Sequence, residues 1–373
     1  MKKIVPVTSK EQRKKFIDFP HDLYADDPNY VPELFMAQAD LLNPDKHPFH
    51  EHSQVQLYLA YDGDKIVGRI AAILNGNNNK FNNSTDGFFG FFDVVNDNDI
   101  TSMLFAEAEK WLRAKGATNI IGPVNPSTNE TCGLLIDGFN SPPVAMMTYN
   151  KPYYIQLLEK QGLAKKTDLI AYTFGDTGYN DRVVSLQQAL TERLTRRNIT
   201  IRPISMKNFK AEVLNLNAVY NAAWSKSLGF VPMTEKEFVY MAKDMKQVVD
   251  PEFCLVAEHE GKTIGFALAV PDINQALIKV KRGRLFPFGI FRLLFGLPKV
   301  DGIRIITLGV IESYRKLGIE ACFYASIIKR YREKKFKNAE ASWILEDNAM
   351  MNRALIDIKG DPYKKYRIYE KAL

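Results

Sequence analysis

Cysteine is scarce in this chain: only Cys132, Cys254 and Cys322 occur among 373 residues, and they lie far apart. An odd number of widely separated cysteines does not build a disulfide framework or a paired-thiol metal motif. The sequence also lacks an uncharged run near the roughly 20 residues that a membrane-spanning helix requires. Its first residues do not have the pattern of a secretory signal. We therefore expect a cytoplasmic protein.

The chain also lacks a strong excess of charge of one sign. A net charge of +7 arises from 50 basic and 43 acidic residues, and no predicted helix carries the one-sided basic stripe that is typical of nucleic-acid binding. Three of the five histidines, His47, His50 and His52, fall close together. No paired cysteine or distant carboxylate completes a metal site with them. We expect no nucleic-acid partner and no metal.

What the sequence does contain is an internal repeat. Residues 5–10 and 59–68 match 202–207 and 256–265, and both matches have the same offset of 197 residues (203 − 6 and 265 − 68). A constant offset over so long a stretch is hard to obtain by chance. We therefore interpret the chain as two copies of one domain, which also suits its length.

The periodicity of each copy predicts one order of elements: strand, helix, three strands, helix, strand, helix and strand. This order is typical of a mixed α/β (α+β) fold in which a mixed central sheet is flanked by helices. We place the two domains at 1–178 and 179–373. Each copy carries an insertion that the other lacks, at 126–149 in the first and at 279–299 in the second.

A motif that carries chemistry lies in the second copy, where a predicted strand ends at Val310 and a helix begins at about Ile319. Arg315, Lys316 and Gly318 stand in the loop between them. The first amides of a helix are free to bind an anion, and the helix dipole is positive at that end. Two cations and a glycine at this position favour a pyrophosphate site.

Residues 308–319 (LGVIESYRKLGI) and 344–348 (ILEDN) resemble the GNAT superfamily of acyl-CoA N-acyltransferases, whose signature is Arg/Gln-x-x-Gly-x-Gly/Ala. Glu320 departs from it, because the family has Gly or Ala there. The resemblance implies a tandem GNAT protein whose second copy binds acetyl-CoA or a longer acyl-CoA as co-substrate. It implies pyrophosphate contacts from Arg315, Lys316, Gly318, Ile319 and Ala321. It implies pantetheine contacts from Leu308, Val310 and Asn348.

The first copy differs at the same loop. Residues 93–99 contain three aspartates and neither a cation nor a glycine, so a pyrophosphate would be repelled there. We expect the first copy to bind no CoA and to help form the acceptor site. The polar residues in and beside its insertion are the candidate acceptor ligands: Asn125, Asn129, Glu130 and Tyr149. The alternative is an Asn-rich turn packed on its own apolar residues.

N-acyl transfer requires a base that deprotonates the acceptor ammonium and donors that stabilise the oxyanion. Glu346 and Glu312 stand at predicted strand ends beside the expected cleft and are the candidate bases. Solvated side chains at strand ends are the alternative interpretation for both.

The segment 284–297 in the second insertion interleaves aromatic and aliphatic residues with arginines. Such a pattern is typical of a peripheral membrane contact or of the lining of an acyl-chain tunnel. A helical lid packed into the protein interior is the alternative.

The sequence thus predicts a cytoplasmic tandem GNAT N-acyltransferase that moves an acyl group from acyl-CoA, or from an acyl-carrier protein, to a small-molecule or lipid amine. Because bacterial ceramide-forming acyltransferases also resemble GNAT proteins, a long-chain lipid N-acyltransferase is one alternative. A non-catalytic GNAT-fold binding or scaffold protein is the other, and Glu320 is the residue that favours it.

Overall fold

A computed structural model describes residues 1–175 and 181–373 of the chain, which form two compact units. Unit 1 consists of 1–169, 274–299 and 364–373. Unit 2 consists of 170–273 and 300–363. The predicted domain border between 178 and 179 lies outside the described residues.

The strands are β1 (Lys2–Pro6), β2 (Ser53–Asp62), β3 (Lys65–Asn75), β4 (Asp86–Val94), β5 (Asn119–Gly122), β6 (Val124–Asn125), β7 (Thr131–Cys132), β8 (Leu134–Asp137), β9 (Ala164–Gly175), β10 (Ile199–Pro203), β11 (Cys254–His259), β12 (Lys262–Pro271), β13 (Gly302–Val310), β14 (Asn338–Leu345) and β15 (Asp361–Ala372). The α-helices are α1 (Lys10–Leu23), α2 (Phe35–Leu41), α3 (Gly76–Asn82), α4 (Asn98–Ala114), α5 (Tyr154–Lys160), α6 (Asp181–Thr195), α7 (Phe209–Ala223), α8 (Glu235–Met245), α9 (Asn274–Leu277), α10 (Gly289–Gly296), α11 (Ile319–Glu333) and α12 (Ala349–Asp357). The predicted elements occur in the predicted order in both copies, and further short elements lie between them: α2, α3 and β6–β8 in the first copy, and α8, α9 and α10 in the second. Among the described residues, none of these helices has both the length and the apolar character that crossing a membrane demands.

The sheet of unit 1 pairs β1, β2, β3 and β4 in antiparallel order. Strand β5 joins parallel to β4, and β15 joins antiparallel to β5. Strand β8, from the first insertion, pairs with an earlier stretch of β15. Helix α4 packs on this sheet because Ile100, Leu104, Ala108 and Leu112 recur at helical spacing and are all buried.

The sheet of unit 2 pairs β10, β11, β12 and β13 in antiparallel order, and β14 joins parallel to β13. Alternate residues of β11 enter different cores. Leu255 and Ala257 pack with the side chains of α11, whereas Cys254 and Val256 pack with those of α7 and α8. A sheet that is covered on both faces gives this pattern, and the mixed sheet flanked by helices is therefore confirmed.

The two insertions differ in where they end up. The first, predicted at 126–149, contains β7 and β8 of unit 1. The second, predicted at 279–299, contains α10 and also belongs to unit 1, although it lies in the second copy of the sequence. The division into compact units therefore does not follow the sequence repeat at this segment.

Candidate functional site

The parallel strands β13 and β14 of unit 2 separate part of the way along their length. They pair from Gly302 with Asn338 to Ile305 with Ala341, whereas β13 continues to Val310. One extra residue of β13 shifts its register with β12 at the same level. A bulge of this kind increases twist and ends pairing. Within the described part of the chain, the second half of β13, which includes Val310, is therefore not paired with β14.

Helix α11 begins at Ile319, where the sequence predicts it, and follows the end of β13 after the short loop 311–318. Its N-cap is Gly318, with φ of 97°, and no side chain caps the amides of the first turn. Ile319 is fully buried and fixes the start of the helix, whereas Ala321 is exposed. Uncapped amides and the positive end of a helix dipole are the arrangement that binds phosphate groups.

Arg315 and Lys316 in this loop make different contacts. The Arg315 guanidinium donates from Nε to the Val310 carbonyl (3.1 Å) and from Nη2 to the Ala223 carbonyl (2.6 Å). It thus braces the loop against the ends of β13 and α7. Lys316 is exposed and has a positive φ of 65°. Of the two predicted phosphate ligands, Lys316 has the side chain that the fold does not use as a brace.

Glu320 lies in the first turn of α11, one turn before Tyr324. Burial first, and the Glu320 charge second, raise the pKa of Tyr324 to about 12. The Tyr324 hydroxyl donates to the Met351 sulfur at 3.2 Å. A carboxylate in the first turn is favourable to the helix dipole, but it also repels an approaching phosphate.

The two candidate bases both lie at the surface of unit 2. Glu312 forms an ion pair with Lys226, at 2.8 and 2.9 Å from the two carboxylate oxygens, and this hydrogen bonding lowers the pKa of Glu312. A lowered pKa makes a carboxylate a weaker base. Glu346 follows directly on the last residue of β14 and is exposed.

Asn348 forms the N-cap of α12, where its Oδ1 accepts the Met351 amide at 3.2 Å. Asn352 holds the same turn by donating Nδ2 to the Leu345 carbonyl (2.9 Å) and to the Asn348 carbonyl (3.0 Å). The turn that follows β14 is therefore fixed by two asparagine side chains, and Asn348 is an element of it.

The equivalent strands of unit 1 diverge in the same way, but the chain itself enters the gap. Pairing of β4 with β5 ends at Phe88 with Ile121. Beyond it, the Phe91 amide donates to Oδ1 of Asn125 at 2.6 Å. A Cβ on Gly90 would lie 1.5 Å from the Val124 carbonyl oxygen. The part of β4 that corresponds to the unpaired half of β13 is therefore occupied by residues 124–125 of the chain itself.

The helix start of unit 1 also differs from that of unit 2. Only residues 95–97 separate β4 from α4. Asp97 caps the helix by accepting the amides of Asp99 (2.9 Å) and Ile100 (3.1 Å), and its other oxygen binds Lys2 at 2.7 Å. Asp97, one of the three aspartates predicted to repel a pyrophosphate, is therefore the cap of the helix.

The four candidate acceptor ligands all lie in unit 1, whereas the motif residues lie in unit 2. Besides the Phe91 amide, Asn125 binds Thr131 (3.2 Å). The Tyr149 hydroxyl bonds both oxygens of Asp27 at 3.0 Å. Asn129 and Glu130 lie in the turn 127–130, where both of their amides donate to Ser127. Their role toward an acceptor stays a prediction.

Two features of the units were not predicted from the sequence. A buried cluster in unit 1 joins Asp93 to Arg69 (2.9 Å), to Tyr24 (3.0 Å) and to Tyr154 (3.3 Å). In unit 2, the Trp224 ring packs on the backbone of β13, since a Cβ on Gly309 would come within 2.2 Å of it. The only sequence signal for the second feature is a glycine between two apolar strand residues.

The three neighbouring histidines serve local structure. His47 Nδ1 accepts the Phe49 amide at 3.3 Å, the His50 ring bonds the Leu41 carbonyl at 2.9 Å, and the His52 ring bonds Ser53 at 2.7 Å. In the described ranges, no group of three or more metal-ligating side chains is arranged as a metal site.

Two solved structures share this fold over nearly the full length of both chains. A tandem GNAT protein from the clavulanic acid biosynthesis pathway has a TM-score of 0.59 and 11% identity, covering 100% of this chain and 98% of its own. The GCN5-related N-acetyltransferase from Sphaerobacter thermophilus has a TM-score of 0.53 and 12% identity, covering 99% and 95%. The fold is therefore the tandem GNAT fold, as the sequence motif predicts. No protein-family model matches the chain.

Two sequence relatives show the family to which the chain belongs. The bacterial ceramide synthase of Caulobacter vibrioides (strain NA1000 / CB15N) is 36% identical over 378 residues, which cover 99% of this chain and 97% of that protein. Protein YghO of Escherichia coli (strain K12) is 36% identical over 374 residues, with coverage of 98% and 94%. The chain belongs to the family of these two proteins and is a GNAT-type acyltransferase.

Proposed function

We propose that this acyltransferase moves an acyl group from acyl-CoA to the amine of a long-chain lipid, with the CoA held by unit 2. The supporting observation is the difference between the two helix starts. Gly318 leaves the first turn of α11 uncapped, whereas Asp97 caps that of α4. A diphosphate gains hydrogen bonds at the first and meets a carboxylate at the second.

The gap between β13 and β14 would hold the pantetheine arm. Its amide groups would bond the backbone of Leu308 and Val310 in the unpaired half of β13, with Asn348 at the far side. Lys316 would bind the pyrophosphate as a cation, and Gly318, Ile319 and Ala321 would bind it through their backbone. In unit 1, Asn125 occupies the corresponding strand backbone, which leaves that unit for the acceptor.

The reaction is an aminolysis of a thioester. A carboxylate takes a proton from the acceptor ammonium, and the free amine attacks the thioester carbon to form a C–N bond. Collapse of the tetrahedral intermediate breaks the C–S bond, and CoA leaves as a thiolate that acquires a proton. We assign the role of the base to Glu346, because the ion pair with Lys226 lowers the pKa of Glu312 and makes it a weaker base. An acyl-carrier protein would present the same pantetheine thioester.

The lipid acceptor is supported by the name of the Caulobacter relative, a bacterial ceramide synthase, which shares 36% of its residues with this chain. A ceramide is the amide of a fatty acid and a long-chain amino alcohol. The matched range covers nearly all of both chains, so the motif in unit 2 and the polar residues of unit 1 both fall inside it.

The test incubates the purified protein with sphinganine and either palmitoyl-CoA or acetyl-CoA, and it measures the amide by mass spectrometry. We expect amide with palmitoyl-CoA at a rate at least about tenfold above that with acetyl-CoA. Equal rates with the two donors would exclude a long-chain preference. Glu346→Gln is expected to lower turnover, and unchanged turnover would remove Glu346 as the base.

The binding or scaffold alternative is separated by titration calorimetry. Heat of binding with either CoA thioester, together with amide formation, supports the enzyme. Absence of both heat and a thermal shift would favour a protein that keeps the GNAT fold without its ligand, with Glu320 as the residue that repels the phosphates.

A further inference from the structure

A short stretch of unit 1 exposes far more apolar surface than its surroundings. We define the α10 segment as residues 279–299. Five of its large apolar side chains are between 54% and 74% exposed: Phe286, Phe288, Phe291, Leu294 and Phe295. Soluble proteins rarely leave a contiguous group of this kind uncovered unless it is a site of interaction.

The start of the α10 segment is nevertheless anchored to the rest of unit 1. Arg282 forms an ion pair with Asp22 at 2.5 Å, and Arg284 forms one with Asp18 at 2.8 Å, so both arginines are tied to α1. Between them, a Cβ on Gly283 would lie 1.8 Å from the Glu33 carbonyl oxygen. The segment therefore sits directly on the backbone of unit 1.

Helix α10 also packs closely against neighbouring backbone, through its two glycines. Gly289 is buried, and a Cβ there would come within 2.0 Å of the Arg284 carbonyl oxygen. A Cβ on Gly296, one residue past the exposed Phe295, would come within 2.8 Å of Ala276 in α9. Glycines face the protein, and the aromatic side chains therefore point away from it. Phe288, Phe291 and Phe295 share one face, because they follow the i, i+3, i+7 spacing.

The charged residues within the α10 segment all have one sign. The α10 segment contains six cationic residues and no carboxylate. Arg282 and Arg284 form the ion pairs with α1. The others are exposed and have no ion-pair partner among the described residues: Lys279, Lys281, Arg292 and Lys299. A segment that combines exposed aromatic side chains with cations that form no ion pair matches a surface that is apolar beneath an anionic layer.

We propose that the α10 segment docks unit 1 on the surface of an anionic lipid bilayer, with the apolar side chains entering the headgroup region and the lysines meeting lipid phosphates. An acidic protein would satisfy the cations, but it offers no apolar layer for five exposed side chains. A second copy of this chain would place the same cations against one another. A lipid acceptor would give this docking a function, but the proposal is argued from the residues of the α10 segment alone.

The test measures co-sedimentation of the full chain with vesicles of phosphatidylcholine and with vesicles that also contain about one third phosphatidylglycerol. The variant Phe288→Ser/Phe291→Ser/Phe295→Ser removes one face of the helix. The matched control, Phe81→Ser/Leu228→Ser/Ile356→Ser, removes three side chains of comparable exposure elsewhere (44%, 52% and 56%). A second variant, Lys279→Gln/Lys281→Gln/Lys299→Gln, changes charge without touching the helix.

We expect the wild type to bind the anionic vesicles, the phenylalanine variant to lose at least about tenfold in partitioning, and the control to match the wild type. The lysine variant should bind weakly, and high salt should weaken the wild type. Equal binding by wild type and phenylalanine variant, or no binding by the wild type, overturns the proposal. A concentration-dependent dimer or binding to an acidic carrier protein, lost in the phenylalanine variant without any vesicle binding, also overturns it.

Turnover in detergent micelles separates this proposal from the proposed function. Variants that lose vesicle binding but keep micellar acyl transfer support docking as a distinct property. If the wild type binds vesicles but forms no amide, the proposed function fails and the docking surface stands.

Discussion

Arg315 and Lys316 are neighbours in the loop before α11, but they meet different surroundings. Arg315 donates to two backbone carbonyls, whereas Lys316 is exposed. We predict that Arg315→Ala lowers the free energy of unfolding by about 1–2 kcal/mol, because two hydrogen bonds to backbone carbonyls are lost. Lys316→Ala should leave unfolding unchanged and weaken CoA binding about tenfold. Thermal denaturation and calorimetry measure the two effects, and equal melting temperatures for both variants would contradict this division.

Glu320 is the residue at which the loop departs from the GNAT signature. Because its carboxylate stands in the first turn of α11, we predict that Glu320→Ala tightens CoA binding several-fold by removing a repulsion from the phosphates. Glu320→Gln keeps the size of the side chain and removes its charge, so it should tighten binding to a similar extent. If Gln behaves as Glu does while Ala binds more tightly, crowding and not charge is the cause.

We predict that His21 makes the free energy of unfolding depend on pH. Burial, aided by the Arg69 charge, lowers the pKa of His21 to about 4 from 6.5. Between pH 6.5 and 4, the unfolded chain therefore binds a proton at His21 that the folded chain does not bind. The contribution of neutral His21 to the free energy of unfolding is fully present above pH 6.5 and is lost as the pH falls toward 4. The loss attributable to this residue is about 3 kcal/mol at most. His21→Gln should flatten this slope in denaturant melts between pH 7 and 4, and an unchanged slope would exclude His21.

Helices α4 and α11 show how one element type can be built for two purposes. Both follow the central strand of their sheet, and both have an apolar face at helical spacing. Asp97 closes the start of the first, and Gly318 leaves the start of the second uncapped. The composition of the preceding loop reveals this difference, so it could be predicted from the sequence.

The strand beside α11 provides a prediction at the level of packing. A Cβ on Gly309 would lie 2.2 Å from the Trp224 ring, so Gly309→Ala must displace α7 or bend β13. We expect a loss of about 1–3 kcal/mol in the free energy of unfolding. Gly175→Ala is the matched control, because Gly175 also lies in a strand and no atom of the residues that the structure describes lies within 4 Å of its would-be Cβ. A similar loss for both variants would place the cost in the backbone and not in the tryptophan contact.

Much of each element could be predicted, and the contacts of single side chains could not. The repeat, the order of elements and the start of α11 at Ile319 follow from local periodicity and capping residues. That Asn125 enters the gap of unit 1, or that Arg315 bonds the Ala223 carbonyl, depends on residues distant in the chain. Short-range patterns carry no information about such pairs, so the contacts of Arg315 with the Val310 and Ala223 carbonyls could not be predicted, and its role as a phosphate ligand stays a prediction.

The molecule as a whole divides its chain in an unexpected way, because unit 1 needs residues from the end of the sequence. Strand β15 supplies Tyr366 and Tyr369, both buried, and its Arg367 pairs with Asp168 at 2.7 Å. We predict that a fragment of residues 1–178 does not unfold cooperatively, because it lacks this strand and the α10 segment. Amide exchange and a thermal melt test this. A sharp melt with dispersed amide signals from the fragment would contradict it, and the full chain is the control.

The late arrival of residues 364–373 has a consequence for synthesis. Translation proceeds from the amino end, and most multidomain proteins complete their leading domain while the ribosome is still working. Here the leading unit stays unfinished until all of unit 2 has been made, because the edges of β5 and β8 pair with β15. A nascent chain stalled before residue 364 would therefore be a natural client for chaperones that shield open sheet edges.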